Sequence, residues 1–407
     1  MASRKPTFID LFSGAGGLSC GFEAAGYKCV LGVESDLWAA QTFKANHREA
    51  ATLHCDIKQV TNKAIGELGL ENLDMIVGGP PCQGFSHSNT ANKDPHDPRN
   101  SLFVEYLRFV KVLKPRLALI ENVPGLLSAK LQSGSKVIQV ISEEFLRLGY
   151  KTHFEILDAS LYGVPQRRPR LFILAHRIEH KLEITPFPPA SHSAGLESEQ
   201  ELPGFSASLP AAVTLWDAIS DLPQIDAESE EKACTYSCEP QNAYQKSMRK
   251  GAPRSITHHE PMRHTDRVVE RFKHIGFGQS EEDVPDDLKP RKRGNPSASS
   301  GQTYSQNSRR QRPDKPCSTV VASSHSNFIH PFLHRNFTVR EMMRIQSFPD
   351  CYSLKGKRAV LSKSLSLKKG YVDDIHLDQR MQIGNAVPPR LAEKIGRHLL
   401  SQLNLNK

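Results

Sequence analysis

The sequence lacks the long apolar runs of a membrane protein and the paired cysteines of a disulfide or zinc framework. No stretch approaches the ~20 consecutive apolar residues that a transmembrane helix needs. The chain enters a strand pattern at Thr7, without the apolar segment of a secretory leader. Eight cysteines are scattered along it, and no second pair accompanies Cys234 and Cys238 to complete a zinc site. We therefore expect a cytoplasmic protein with reduced thiols and no metal.

The composition is that of a globular chain long enough for two or three domains. Of its 407 residues, 38% are hydrophobic, which is enough for a packed core. There are 53 Lys and Arg against 44 Asp and Glu, so the formal net charge is +9. A basic balance of this size is compatible with an anionic partner, although many soluble proteins share it without one.

The most informative segment is a short strand that stops just before a cysteine. The apolar run at 75–77 is typical of a buried strand, and Gly-Gly-Pro-Pro at 78–81 ends it and fixes the backbone. Ligands of open α/β sheets bind beyond the carboxyl ends of the strands. Cys82 is therefore placed like a nucleophile, and a small buried hydrophobe in a loop is the alternative.

A glycine turn near the N-terminus indicates a nucleotide-like cofactor. A strand pattern at 7–12 runs into Ser-Gly-Ala-Gly-Gly at 13–17, and a helix pattern follows. Glycines let the backbone approach a ligand, and a helix N-terminus favours polar groups. The next predicted strand ends in Glu34, whose carboxylate suits a ribose diol, and a third ends near Asp56. Acidic residues at successive strand ends favour an uncharged adenosine over a pyrophosphate.

Strand and helix patterns alternate from residue 7 to about 178, which predicts a mostly parallel α/β sheet with helices on both faces. The predicted strands are 7–12, 28–33, 51–55, 74–78, 116–120, 152–157 and 170–175. The predicted helices are 15–25, 37–46, 100–113 and 136–148. The polar segment 83–99 has the length of a functional lid.

The composition changes after about residue 185, where Ser, Pro, Arg, Lys and His become frequent and periodicity is weak. A short helix near Thr214 is the exception before residue 312. Basic clusters among aromatic residues predict either a nucleic-acid surface or a solvated insertion. Compact patterns return after residue 316, with a capping box of Thr338 and Glu341 that predicts a helix at 338–346. A terminal helix is predicted from Arg390.

Six motifs follow one another along the chain. They are Asp-Leu-Phe-Ser-Gly-Ala-Gly-Gly (10–17), Gly-Pro-Pro-Cys-Gln-Gly-Phe-Ser (79–86), Glu-Asn-Val-Pro-Gly (121–125), Tyr-Gly-Val-Pro-Gln-Arg-Arg-Pro-Arg (162–170), Arg-Glu with Gln-Ser-Phe-Pro (340–341, 346–349) and Gln-Ile-Gly-Asn-Ala-Val-Pro (382–388). In this order they resemble the DNA (cytosine-5)-methyltransferase family. The resemblance implies a Rossmann-like, S-adenosylmethionine-dependent methyltransferase domain and a smaller, loop-rich target-recognition domain.

The chemistry of that family explains the residue types. Carbon 5 of cytosine is a poor nucleophile, but a thiolate added at carbon 6 makes an enamine that can attack a sulfonium methyl. The resemblance implies that Cys82 is the thiolate and that Glu121 is the protonated carboxyl at N3. It places Arg170 on the cytosine O2 and gives Arg168 a supporting role at the loop or at Glu121. We expect Gln166, Arg168 and Arg170 to alternate on one strand face.

Two points stay open at the catalytic centre. Glu121 could instead form an ordinary ion pair at a strand end. No side chain stands out as the base that removes the C5 proton, and a water held near the Pro80 carbonyl and Asn122 is one option.

The cofactor implied by the resemblance is S-adenosylmethionine. Phe12 would stack on its adenine, Glu34 would hold the ribose, and Ser35 stands where many members carry an aromatic residue. Trp38 lies one helical turn further on. The full set of implied cofactor contacts is Phe12, Ser13, Gly14, Gly16, Gly17, Glu34, Ser35, Asp56, Ile57, Pro80, Leu102, Asn385 and Val387.

The substrate implied is duplex DNA with the target cytosine rotated out of the stack. The segment 83–99 would close over it, and the expected DNA contacts are Gln83, Ser86, Ser88 and Arg99. We expect a catalytic domain at 1–185, a target-recognition domain at 186–378 and a C-terminal segment at 379–407 that returns to the catalytic domain. A monomeric, nucleoid-associated prokaryotic enzyme with a cognate restriction endonuclease as functional partner fits this size.

Three other readings compete. An RNA cytosine methyltransferase could share the scaffold, but the Cys-Phe-Thr signature of the tRNA-modifying branch is absent from the sequence. A non-catalytic binding protein would not need the complete set of catalytic residues. A nicotinamide dehydrogenase would usually have a third spaced glycine in the turn.

Overall fold

The computed structural model describes residues 4–81, 100–131, 134–180, 185–193, 209–227, 234–292, 295–299, 307–323, 328–360, 363–371 and 375–405. Cys82 and the expected lid at 83–99 lie outside these ranges. The chain divides into two compact units. The first comprises Met1–Tyr162, Pro169–Ser191 and Ala386–Lys407, and the second comprises Gly163–Arg168 and His192–Asn385.

A seven-stranded sheet forms the centre of the first unit. Its strands are β1 (Thr7–Leu11), β2 (Lys28–Glu34), β3 (Ala51–His54), β4 (Met75–Gly78), β5 (Leu117–Asn122), β6 (Tyr150–Asp158) and β7 (Pro169–Arg177). They lie in the order β3-β2-β1-β4-β5-β7-β6. All pairs are parallel except those of β7, which runs antiparallel to both β5 and β6. The predicted, mostly parallel α/β architecture is thus confirmed.

Helices cover the sheet because successive strand residues point to opposite faces. The helices are α1 (Gly17–Ala24), α2 (Leu37–Asn46), α3 (Asn62–Gly66), α4 (Asn100–Leu113) and α5 (Val137–Arg147). On one face, Ile9 and its neighbours form a continuous apolar core with α3, α4 and α5. On the other, Phe8 packs against Phe22 of α1, with the ring centroids 5.6 Å apart.

The second unit consists of short elements. Its helices are α6 (Leu215–Ile219), α7 (Ala243–Met248), α8 (Asp266–Lys273), α9 (Val339–Ile345), α10 (Lys363–Lys368) and α11 (Gln379–Asn385). Its strands, paired two by two, are β8 (Cys234–Thr235), β9 (Ser255–Ile256), β10 (Arg291–Lys292), β11 (Asn295–Ser299), β12 (Arg309–Arg310) and β13 (Phe328–Ile329).

Buried ion pairs hold the centre of the second unit. Helix α9 is buried along its whole length and starts with the predicted capping box, in which the Thr338 hydroxyl accepts from the Glu341 amide. Arg335 donates to both oxygens of Glu341 at 2.8 Å. Arg344 lies between the carboxylates of Asp221 and Asp350.

The last helix, α12 (Pro389–Leu405), belongs to the first unit and packs against α1. Close approach requires glycine here, because a Cβ atom at Gly21 would lie 2.3 Å from the Pro389 carbonyl oxygen. The helix predicted from Arg390 is confirmed. Helix α11, which lies within the expected C-terminal segment 379–407, belongs instead to the second unit.

One strand prediction was wrong. Strand β7 begins at Pro169, so Gln166 and Arg168 precede it and do not share its face with Arg170. The side chains of Gln166 and Arg168 form hydrogen bonds with backbone groups of the second unit. The segment before Pro169 therefore does not join the sheet. The helices that were not predicted from the sequence are α3, α7, α8, α10 and α11.

Among the described residues, none of the helices has both the length and the apolar character needed to cross a membrane. The same part of the chain contains no cluster of three or more His, Cys, Asp or Glu side chains that could hold a metal ion.

Candidate active site

The carboxyl ends of β4 and β5 bring the cysteine motif beside Glu121. These strands are parallel neighbours, with Gly78 opposite Ile120. The next residues along each strand, Gly79 and Glu121, therefore meet at the sheet edge. A Cβ atom at Gly79 would lie 3.2 Å from Glu121 Oε2, which is tighter than an ordinary contact. Gly79, the first residue of the 79–86 motif, thus lies directly beside this carboxylate.

Glu121 is paired with Arg170. The Arg170 Nε atom lies 3.1 Å from Glu121 Oε1, and only 15% and 12% of the two side chains are exposed. Burial lowers the pKa of Arg170, and the Glu121 carboxylate opposes this shift. The ion pair considered for Glu121 is therefore present, and its partner is the arginine that was expected to contact cytosine. The pair fixes the direction of the carboxylate at the strand ends.

Asn122 ties the proline segment to the end of β5. Its Nδ2 group donates to the Pro80 carbonyl at 3.0 Å, and its Oδ1 atom accepts from the Val123 amide at 2.9 Å. Because both ends of the amide are engaged, Asn122 holds the backbone at Pro80 in a defined position next to Glu121.

Arg168 lies in the second unit, fully buried. Its guanidinium donates to the carbonyls of Val320 at 2.8 Å and Gly384 at 2.7 Å. Gln166 accepts from the Val320 amide at 2.8 Å. Arg168 thus joins the segment at Val320 to helix α11 within the second unit. This differs from the strand position expected for it, and its expected role at the 83–99 loop or at Glu121 stays a prediction.

The glycine turn after β1 has the backbone shape of a ligand-binding turn. Phe12, Gly14 and Gly16 all have positive φ, at 60°, 53° and 84°. The Ser13 amide donates to the Val33 carbonyl at 3.1 Å, which anchors the turn to β2. Nothing among the described residues occupies the space of a Cβ at Gly14, and α1 begins directly after, at Gly17.

Glu34 connects this turn to the end of β2. One carboxylate oxygen accepts from the Gly14 amide and the other from the Asp36 amide, each at 2.8 Å. The Ser35 hydroxyl lies 3.4 Å from the same carboxylate. Burial raises the pKa of Glu34, which the two amide bonds oppose. The carboxylate is therefore oriented in advance at the position expected for the ribose.

The segment after β3 carries the other expected acidic residue. Asp56 caps a 3₁₀ turn, Ile57–Gln59, and its Oδ1 atom accepts from the Lys58 amide at 3.0 Å. Ile57 is buried in the core beneath it. Phe12 packs against the same core, so the residues expected around the adenine share one side of the sheet.

The remaining expected residues are spread over both units. Leu102 lies on α4 and packs against the core of the first unit. Val387 belongs to the first unit, where its carbonyl oxygen would be 2.3 Å from a Cβ at Gly17. Asn385 ends α11 in the second unit. The expected nucleophile and DNA contacts, Cys82, Gln83, Ser86, Ser88 and Arg99, lie outside the described residues.

Tyr106 supports the site and was not expected from the sequence. Its hydroxyl lies 2.9 Å from the Ile76 carbonyl and 3.2 Å from that of Leu119, so it bridges β4 and β5 just before their carboxyl ends. A tyrosine in an amphipathic helix looks like an ordinary core residue, so the sequence carries no signal for this role.

Comparison with known proteins agrees with this geometry. The family described as C-5 cytosine-specific DNA methylase matches residues 6–401. The chain belongs to this family. It is therefore a DNA cytosine-5 methyltransferase, and its fold is that of S-adenosylmethionine-dependent methyltransferases.

The methylase resembles several bacterial enzymes over nearly its whole length. It is 44% identical over 391 residues to the Type II methyltransferase M.DdeI of Desulfomicrobium norvegicum, covering 96% of this chain and 88% of that protein. It is 31% identical over 403 residues to the Type II methyltransferase M1.HphI of Haemophilus parahaemolyticus, covering 98% and 88%.

Two solved structures are similar to this chain over nearly its whole length. A crystal structure described as a DNA modification methyltransferase encoded within an E. coli prophage is 26% identical, has a TM-score of 0.72 and covers 98% of this chain and 100% of its own. A Spodoptera frugiperda DNMT2 structure, 17% identical with a TM-score of 0.55, shares the fold over 98% and 100% of the two chains.

Proposed function

We propose that the methylase transfers a methyl group from S-adenosylmethionine to carbon 5 of a flipped-out cytosine in a specific duplex DNA sequence, through a covalent Cys82 adduct at carbon 6. The observation that carries this proposal lies at the end of β5. Glu121, paired with Arg170, lies beside Gly79, and Asn122 donates to the carbonyl of Pro80, two residues before Cys82. A thiol delivered beside a fixed carboxylate is what addition to a pyrimidine ring requires.

The residues at the glycine turn fit the proposed cofactor. The Ser13 hydroxyl is buried and has no hydrogen-bond partner within the described ranges, and Gly14 leaves room for a ligand. A carboxylate offers about four acceptor positions, so Glu34 can bind a diol while it holds its two amides. Asp56 and Ile57 would meet the adenine, while Leu102, Asn385 and Val387 would meet the methionine end. When bound, S-adenosylmethionine supplies an electrophilic methyl group.

The protein's own groups would act on the ring in sequence. The Cys82 thiolate would form a bond to carbon 6 as electron density moves toward N3, where Glu121, protonated for this step, donates a hydrogen bond. Arg170 neutralises charge at O2 while it keeps Glu121 in place. After carbon 5 has been methylated, its proton leaves to a water held at the Pro80 carbonyl and Asn122. The sulfur–carbon bond then breaks and restores the aromatic ring.

Recognition of DNA would belong to residues around the active site and to the second unit. A stacked cytosine does not expose carbon 6, so the base must leave the helix. The segment 83–99 would close over it, with Gln83, Ser86, Ser88 and Arg99 as DNA contacts. The basic clusters at 246–250 and 289–293 would supply cations for phosphates. The third cluster, 309–312, fits this role less well, because Arg310 is buried and donates to backbone carbonyls, among them those of Phe272 and His330.

The biological setting proposed is a prokaryotic restriction-modification system. The printed names of the relatives, Type II methyltransferases, support this setting. In it the methylase would act as a monomer, in the cytoplasm and at the nucleoid, and would protect DNA from a cognate endonuclease with which it need not associate.

Bisulfite sequencing tests the proposed reaction. Duplex DNA incubated with the purified protein and S-adenosylmethionine should gain 5-methylcytosine within one short sequence context. Cys82→Ser should give none, and a transfer RNA substrate should remain unmodified. Methylation by the Cys82→Ser protein, or methylation of RNA alone, would contradict the proposal.

A further inference from the structure

Helix α4 carries an arginine that binds the segment expected to meet the adenine. Arg108 lies on the face of α4 that packs against the segment following β3, and 21% of its side chain is exposed. Its Nη2 atom donates to the Ile57 carbonyl at 3.0 Å, and its Nη1 atom donates to Asn62 Oδ1 at 3.1 Å. The guanidinium therefore spans both ends of the stretch from the 3₁₀ turn to the start of α3.

The orientation of this guanidinium is itself fixed. Arg108 Nε donates to Glu105 Oε2 at 2.7 Å, one helical turn earlier on α4, and the Glu105 side chain is 18% exposed. Glu105 Oε2 thus holds the edge of the guanidinium formed by Nε and Nη2, the latter at 2.6 Å. The remaining N–H groups of Nη1 and Nη2 reach Asn62 and the Ile57 carbonyl. A planar fork with several donors can bind three acceptors at once, whereas a lysine ammonium acts as a point charge.

The carbonyl that Arg108 binds is the one that closes the 3₁₀ turn. The Val60 amide donates to the Ile57 carbonyl at 3.2 Å, while the Asp56 side chain caps the other end of the turn. Exposed turns of this length have little stability of their own. The bond from Arg108 attaches the turn, and with it Asp56, to a helix that is packed into the core.

We propose that Arg108 is a positioning residue of the cofactor site, which holds Asp56 and Ile57 at the adenine edge by fixing the Ile57 carbonyl and Asn62 to α4. This inference rests on the proposed function, since it takes S-adenosylmethionine as the ligand. Arg108 would not touch the ligand itself. Replacement of Arg108 should weaken recognition of the adenine and leave the position of the cofactor's reacting end unchanged.

Calorimetric titration of the full-length protein with two ligands separates positioning from general stability. The first ligand is S-adenosylhomocysteine, and the second is its inosine analogue, in which a carbonyl replaces the adenine amino group. Arg108→Met should weaken S-adenosylhomocysteine binding by roughly tenfold. It should weaken binding of the analogue by no more than about twofold, because the analogue has already lost the adenine contact that Arg108 positions. Arg108→Lys should recover only part of the affinity.

Two further variants complete the design. Arg147→Met is the matched control, since Arg147 also pairs with a glutamate three residues earlier, Glu144, but on the exposed surface of α5. It should bind both ligands as the parent does. Asn62→Ala removes one of the three contacts while leaving Arg108 in place, so it should weaken S-adenosylhomocysteine binding in the same direction but less, even if Arg108→Met fails to fold.

Steady-state rates supply the second readout. In Arg108→Met, the KM for S-adenosylmethionine should rise about tenfold while kcat at saturating cofactor stays within about twofold, because uniform binding alone is lost. Equal weakening of both ligands, unchanged binding of S-adenosylhomocysteine, or a fall in kcat alone would overturn the positioning role. Failure of the parent protein to bind S-adenosylhomocysteine would instead refute the proposed cofactor, and with it this inference.

Discussion

Arg170 Nε lies 3.1 Å from Glu121 Oε1 across two antiparallel strands, and the pair stands next to the point where the cysteine motif leaves the sheet. The Glu121 carboxylate therefore has a fixed direction and free space beside it, in addition to its charge pairing with Arg170. The arginine sets the direction of the carboxylate, and Gly79 leaves it the space that a side chain would fill. In the proposed reaction, this pair is the fixed point against which the cytosine ring would be placed.

Glu121→Gln tests that role. The amide keeps the shape of the side chain. It can neither carry the negative charge that pairs with Arg170 nor take up the proton that the proposed reaction needs at N3. We expect kcat to fall by about 10²–10⁴-fold, the range of general acid–base groups, with little change in the affinity for S-adenosylhomocysteine. Glu155→Gln, on the exposed part of β6, is the control and should keep full activity. Loss of cofactor affinity in Glu121→Gln with normal kcat would contradict this role.

Close packing between α1 and α12 predicts a steric effect at Gly21. A Cβ atom there would lie 2.3 Å from the Pro389 carbonyl oxygen and 2.5 Å from the Ala392 Cβ. Gly21→Ala should therefore destabilise the protein by about 1–3 kcal/mol, as overpacked sites do. Gly66→Ala is the control, because nothing among the described residues lies within 4 Å of that position. It should stabilise α3 by ~0.5–1 kcal/mol. Urea denaturation measures both, and equal effects would contradict the packing argument.

Asp10 predicts an unusual pH dependence of stability. Its Oδ2 atom accepts from the Ser19 hydroxyl at 2.6 Å, and its Oδ1 atom is buried without a hydrogen-bond partner in the described part of the chain. Burial, with a smaller effect of the Glu34 charge, raises the pKa of Asp10 from 3.8 to about 7. Between these values the folded protein binds the proton more tightly than the unfolded chain, so this group's contribution to stability falls as pH rises from 3.8 to about 7.

Asp10→Asn should remove that contribution. At ~1.4 kcal/mol per pKa unit, the free energy of unfolding of the parent should fall relative to the variant by up to about 3 kcal/mol between pH 5 and pH 8. Urea denaturation of both proteins at the two pH values measures the difference. A constant difference, or one of the opposite sign, would show that Asp10 is ionised throughout.

The buried network of Arg344 predicts that the second unit depends on Asp221. Arg344 donates to Asp221 Oδ1 at 3.1 Å and to Asp350 Oδ1 at 2.6 Å, and all three side chains are almost fully buried. Removal of one partner from a buried pair typically costs ~3–5 kcal/mol. Asp221→Asn should approach the lower end, because Asp350 remains. Asp226→Asn, at an exposed position, should change the free energy of unfolding by less than ~0.5 kcal/mol.

Local signals in the sequence were enough to predict much of the fold. The apolar run of β4 lies between glycine and proline residues, and the capping box of Thr338 and Glu341 marks the start of α9. Both signals act within a few residues, so neither needs knowledge of the rest of the chain. Helix α8 was missed because charged residues dominate its sequence. Its apolar face consists of Phe272, which packs onto Ile275 and Val284, and Val268, which packs against the same cluster.

Long-range contacts explain what could not be predicted. Arg168 was expected on a strand beside Arg170, but its bonds to Val320 and Gly384 hold it in the second unit. Arg108 gave no signal at all, since its partners Ile57 and Asn62 are far away along the chain. Motif resemblance supplied the residues expected around the cytosine and the cofactor, while the contacts that position them required the folded chain.

The proposed reaction depends on a covalent bond between the Cys82 sulfur and carbon 6 of the target cytosine. Duplex DNA with 5-fluorocytosine at the methylated position tests it directly, because fluorine cannot leave carbon 5 as a proton does and the adduct should persist. With S-adenosylmethionine present, mass spectrometry should find the methylated fluorocytosine strand linked to the peptide that contains Cys82. An adduct at another residue, or methylation of normal DNA with no adduct on the fluorinated duplex, would contradict the account.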